Sequence, residues 1–193
     1  TWQVDGASGI KDLAVRINNL EGTAYAILTT EGVKPGVPYD VGDHTLAVSR
    51  RLMTPEGTTL SNQIDLGDLV FVELTLKNQS SKRIQNVVLL DRFAAGLEVE
   101  NPRLGRSRGA DFISGDLWET DYMDIRDDRI ALFGHVDKGK TVKVYYALRA
   151  TVAGRFHTPP VEATAMYDPE KWSRKEGDVL TIIDPWGVAA DSK

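Results

Sequence analysis

Residues 141–150 read TVKVYYALRA, with Val142, Val144, Tyr146 and Leu148 on one parity and Thr141, Lys143, Tyr145 and Arg149 on the other. Period-two alternation puts one set on each face of an extended strand, and it does not supply the continuous apolar stripe that a helix needs. DLVFVELTLK (68–77) repeats the pattern, with Val70, Val72, Leu74 and Leu76 toward a core and Glu73, Thr75 and Lys77 toward water. Shorter runs of the same kind are LAVRIN (13–18), TAYAILTT (23–30), TLAVSRRL (45–52), IQNVVLLD (84–91), GLEVE (96–100), DRIALFG (128–134), GRFHTPPVEATAMY (154–167) and DVLTII (178–183). This grammar yields about ten strands and no helix.

The connections carry turn chemistry: TPEG (54–57), LGD (66–68), KNQSS (77–81), DKGK (137–140) and VAG (152–154) are polar or contain Gly or Pro. Such short links between strands predict antiparallel hairpins, and hence an all-β antiparallel sandwich. Residues 101–127 break the rhythm. They are glycine-spaced and charged, and Phe112, Ile113, Leu117, Trp118, Tyr122 and Ile125 are expected to anchor this long connection to the sandwich. The Gly/Pro-rich stretch 29–43 marks the expected boundary, dividing the chain into 1–40, the last strands of a preceding domain with a linker, and 41–193, the sandwich.

With 193 residues the chain is long enough to bury a sizeable core. Its 23 basic and 28 acidic residues are mixed, for a net charge of −5, and no Lys/Arg block exists to follow a nucleic-acid backbone. No nucleic-acid partner is expected. The absence of cysteine removes disulfides, thiolate metal sites and cysteine nucleophiles. No apolar run approaches the roughly 20 residues of a membrane span. Thr1 is not an initiator methionine and nothing near it resembles a signal peptide, so the chain is expected to be a processed or excised piece of a longer one.

Several strings imitate chemical motifs. GHVDKGKT (134–141) fits the phosphate-cradling pattern through Gly134, Gly139, Lys140 and Thr141, but that pattern requires a helix after the lysine. A strand pattern follows instead, so the string is expected to be a polar hairpin turn with a glycine in a special backbone conformation. GRSRG (105–109) fits a nucleophile elbow through Ser107, without the strand-to-helix context such an elbow needs. A small hydrolase using Ser107 and one of His44, His135 and His157 is therefore a weak rival reading. The acids Asp121, Asp124, Asp127 and Asp128 are interleaved with Arg126 and Arg129, which favours ion pairing over a metal loop. Asn78-Gln79-Ser80 fits a glycosylation acceptor in a hairpin loop. No catalytic residue, cofactor site or metal site is expected.

Two long stretches carry a family resemblance. LAVSRRLMTPEG with IDLGDLVFVELTLKNQSSKRIQNVVLLDRFAAGLEVENPRLG, and DIRDDRIALFGHVDKGKTVKVYYALRATVAGRFHTPPVEATAMYDPE, together resemble the C-terminal macroglobulin-like domain of bacterial alpha-2-macroglobulins, over about residues 44 to 172. The matching features are Gly67-Asp68 before a strand, Asp91 followed by Gly96-Leu97-Glu98, the Arg-Asp-Asp-Arg run at 126–129, and Ala-Met-Tyr-Asp-Pro-Glu at 165–170. The family often has Leu-Pro-Ala-Gly-Leu-Glu where this chain has Phe93-Ala94-Ala95-Gly96-Leu97-Glu98. The first half alone is also similar to immunoglobulin-like modules of bacterial surface or adhesion proteins, which is the alternative reading.

The resemblance implies an immunoglobulin/macroglobulin-like β-sandwich and a non-catalytic, structural role in a protease inhibitor of the periplasm or cell envelope. The implied partners are the other domains of the same parent chain and, through the full-length protein, target proteases. Many members carry a Cys-x-x-Glu-Gln thioester in another domain, which this cysteine-free chain cannot hold itself. In such relatives an aromatic of the terminal domain covers the bond, and Met166 and Tyr167 are the residues that match. Both also read as ordinary strand residues of the sandwich core or rim.

Overall fold

The structure, a computed structural model, describes residues 22–23, 40–100, 113 and 115–185. The chain divides into a unit of residues 1–37 and a unit of residues 38–193. The strands expected at 13–18 and 23–30 lie, apart from Thr23, outside the described residues. The second unit has thirteen strands among its described residues: β1 (Gly42–His44), β2 (Leu46–Met53), β3 (Gln63–Asp65), β4 (Leu69–Asn78), β5 (Ile84–Arg92), β6 (Leu97–Val99), β7 (Tyr122–Ile125), β8 (Arg129–Val136), β9 (Thr141–Ala150), β10 (Gly154–His157), β11 (Val161–Ala165), β12 (Asp168–Lys175) and β13 (Val179–Ile183). No helix occurs among the described residues.

A six-stranded sheet, β1-β12-β11-β5-β8-β7, faces a four-stranded sheet, β2-β4-β9-β6. The alternation read from the sequence supplies the layer between them. Val48, Val70, Val72, Leu74, Leu76 and Leu148 from one sheet meet Val87, Leu89, Ile130, Leu132, Val161 and Ala163 from the other in one core. A third sheet, β10-β13-β3, adds Ile64, Leu180 and Ile182 to it. Its β13–β3 pair is parallel, a departure from the all-antiparallel expectation. The two strands are far apart in sequence, so the long crossover that a parallel pair requires is available. Thr45, with φ +71°, stands where the chain leaves β1 for β2 and so changes sheet, and its carbonyl accepts the Gln79 amide at 2.8 Å.

A polar rivet joins the two layers. Arg50 of β2 donates to the Asp91 carboxylate of β5 at 2.5 Å and to the Arg92 and Pro159 carbonyls, and the Tyr146 hydroxyl of β9 donates to the other Asp91 oxygen. Asp91 has no exposed surface. Burial raises its pKa, outweighing the opposing pull of Arg50 and of the Tyr146 hydroxyl.

Glu73 departs from its expected place. It belongs to the outward parity of β4 yet is buried, held by Arg51 and Lys143 at 2.9 Å each and by the Tyr145 hydroxyl. Beside it Met53, Phe71 and Ala147 form a second small buried cluster. Both faces of β4 are therefore covered, which a strict in-out reading of the alternation misses. The long connection is tied down by Trp118. Its indole lies over Gly134, where a side chain would come within 3.1 Å of the ring, and its Nε1 donates to the His135 carbonyl at 2.8 Å. Leu117, Tyr122 and Ile125, expected as further anchors, are exposed, and Phe112 lies outside the described residues.

Candidate functional site

The phosphate-loop string resolves into the turn between β8 and β9. The Lys140 amide donates to the Asp137 carbonyl, Gly139 has φ +66°, and Thr141 opens a strand. That left-handed conformation is the special backbone role expected of a glycine here. Lys140 itself pairs with Asp116 at 2.9 Å. The three histidines sit on three different strands, β1, β8 and β10, and Ser107 lies outside the described residues. Asp124 pairs with Arg126 and Asp128 with Arg129, so these acids are spent in ion pairs. Asn78 is the last residue of β4 and not a loop acceptor. It is fully buried, and its amide nitrogen donates to the carbonyls of Lys82, Val136 and Asp137, which closes it to glycosylation in the folded protein.

Met166 and Tyr167 lie in the hairpin between β11 and β12. Ala165 pairs with Asp168, leaving Met166 and Tyr167 as a two-residue loop. Two-residue hairpin loops commonly use residues of positive φ to match the strand twist. Neither Met166 nor Tyr167 has one. The register shifts instead between Thr164 and Ala165, and the Met166 amide donates to the Asn86 carbonyl of β5 at 2.9 Å. Beyond the loop, Lys171 pairs with Asp168 at 2.5 Å and holds that carboxyl below its ordinary range. Met166 is 51% and Tyr167 81% exposed, so neither is a core residue. Tyr167 is a large aromatic presented to solvent on a braced loop.

A shallow groove lined by His44, Thr45 and residues 168–172 runs beside the loop. Its wall is a flat stack of His44 on Trp172, with ring centroids 4.5 Å apart. The Arg174 guanidinium lies 5.9 Å from the Trp172 ring. The strand registers continue this row across the outer face of the six-stranded sheet through Thr164, Val88, Phe133 and Tyr122. The family resemblance singled out Met166 and Tyr167 as candidates, and sequence reasoning missed Asn86 and the His44–Trp172 stack. The available signal for Asn86 was a polar residue amid the apolar run IQNVVLLD; for the stack, which joins residues 128 positions apart, there was none.

The hairpin thus presents an exposed aromatic on a braced loop of the β-sandwich, and no metal-binding cluster occurs among the described residues. The family model of the bacterial alpha-2-macroglobulin MG10 domain matches residues 46–170. The chain belongs to that family. An alpha-2-macroglobulin of Rickettsia conorii is 32% identical over 115 residues, covering 58% of this chain and 6% of the relative. One from Pasteurella multocida is 28% identical over 166 residues, covering 84% and 8%. Among solved structures, Salmonella alpha-2-macroglobulin reacted with methylamine superimposes with a TM-score of 0.67 at 25% identity, covering 77% of this chain and 10% of that one. The chain thus spans under a tenth of the length of the curated relatives named here. No helix among the described residues is long and apolar enough to cross a membrane.

Proposed function

We propose that the chain is a non-catalytic domain of a longer alpha-2-macroglobulin-like protease inhibitor of the periplasm or cell envelope. In this reading it packs against a neighbouring thioester-bearing domain, and Met166 and Tyr167 shield the thioester from water. The observation that carries the reading is the loop itself: Tyr167 is 81% exposed although the loop is pinned to Asn86 and braced by Asp168–Lys171. An aromatic that contributes nothing to its own core is available to another surface, and apolar cover excludes the water that would hydrolyse a thioester. The Salmonella relative reacts with methylamine. A small amine of this kind opens a thioester to an amide and a free thiol, the reaction that a shield must slow until the trap is sprung.

The test is Tyr167→Gly in the full-length protein. Expected is faster spontaneous appearance of a free thiol, read with a thiol-reactive dye, together with weaker covalent capture of an added protease. An unchanged rate of thiol release would remove the shielding role. Fractionation of the source cells checks the compartment, with the protein expected in the envelope fraction.

A further inference from the structure

Asn86 interrupts an otherwise regular strand. It is one of two non-glycine residues with positive φ among those described, at +52°. Pairing of β5 with β8 slips between Ile84 and Val87, so Gln85 and Asn86 form a bulge. On its other edge β5 pairs with β11 as far as Val87 with Ala165. One step further, the Asn86 carbonyl accepts the Met166 amide at 2.9 Å. The second register shift, between Thr164 and Ala165, lies beside it. A bulge bends its strand and redirects the groups around it. Here the Asn86 carbonyl carries the β5–β11 register one step past Ala165, to a loop whose own residues lack the positive φ that would set its path. Asparagine tolerates the left-handed region better than most side chains, and a β-branched residue does not.

We propose that Asn86 is the positioning residue of the Met166–Tyr167 contact: its left-handed backbone holds the carbonyl that fixes the loop, and thereby sets where Tyr167 meets the neighbouring domain. This rests on the docking reading above. The inference assigns the role to the backbone of Asn86, so glycine should replace it and valine should not.

Two readouts test it, in wild type, Asn86→Val and Asn86→Gly, with Asn86→Ala standing in if the valine variant does not fold. The first is hydrogen exchange of the Met166 amide in this chain. In Asn86→Val it should be about tenfold faster, and in Asn86→Gly within about twofold of wild type. The second is hydroxyl-radical labelling of Tyr167 in the full-length protein, which should rise in Asn86→Val toward the level of the isolated chain and stay low in Asn86→Gly. Unchanged Met166 exchange in Asn86→Val, or a glycine variant as impaired as the valine one, overturns the inference. Equal labelling of Tyr167 in the wild-type full-length protein and in the isolated chain removes the docking reading instead, and Met166 exchange then still decides whether Asn86 holds the loop.

Discussion

Asp91 sets two opposed effects against each other: burial favours its protonated form, while Arg50 and Tyr146 favour the carboxylate. Removing one partner of a buried pair costs more than the pair contributes, because the remaining charge stays without water. Arg50→Met is therefore expected to lower the unfolding free energy by about 3–5 kcal/mol at neutral pH, read by urea denaturation, with a smaller loss in acid where Asp91 takes up a proton. Glu73 behaves in the opposite way. Burial alone would raise its pKa, but the hydrogen bonds from Tyr145 and Lys143 and the charge of Arg51 bring it below the ordinary 4.5. A carboxyl whose folded pKa is depressed adds stability above its unfolded pKa, and this is lost as pH falls through the folded value. Glu73→Gln should therefore melt lower than wild type at neutral pH, and the gap in melting temperature should close once the pH drops below the folded pKa of Glu73. The alternation set Tyr146 on the parity of Val142, Val144 and Leu148 and Glu73 toward water, and it showed the partners of neither. Alternation gives parity, and parity does not say whether the outer face of a strand is covered.

At the scale of elements, legibility followed apolar content. β4 and β9 alternate cleanly and lie within one residue of where the pattern puts them. The run 154–167 is instead two strands, because Pro159 and Pro160 cannot supply ladder amides, and it divides into β10 and β11. β12, DPEKWSRK, was missed because its only fully buried side chain is Ser173. That hydroxyl accepts the Val48 amide and donates to Asp43, so β12 is held in the sheet by polar links rather than by an apolar face. β7 was masked by its own exposure, with Tyr122, Met123 and Ile125 all open on an edge strand. The connection leading into β7 depends on Trp118 alone among its described aromatics for burial. Trp118→Ala should expose the ring site over Gly134, leave the His135 carbonyl without its donor, and cost about 3–5 kcal/mol in the same denaturation assay. Tyr122→Ala, four residues further along and 62% exposed, should cost under about 1 kcal/mol.

At the scale of the whole molecule the sandwich was legible because two facing sheets need only alternation and turns, both of which are written locally. The loop that carries Met166 and Tyr167 was legible only as a string, AMYDPE, whose meaning, in the function proposed above, depends on a surface supplied from elsewhere. This difference can be measured within the chain. Core residues are fixed by folding itself, so their replacement is felt in stability. A residue kept for a partner should be nearly silent there. Tyr167→Ala is expected to leave the unfolding free energy of this chain within about 0.5 kcal/mol of wild type, since the side chain is 81% exposed and the loop is held through the Met166 amide. The same substitution in the full-length protein should destabilise the packing of this domain on its neighbour, seen as earlier release of the domain on heating. A loss of more than about 1 kcal/mol in the isolated chain would mean that Tyr167 serves its own fold, and the apolar loop would then no longer argue for a partner surface.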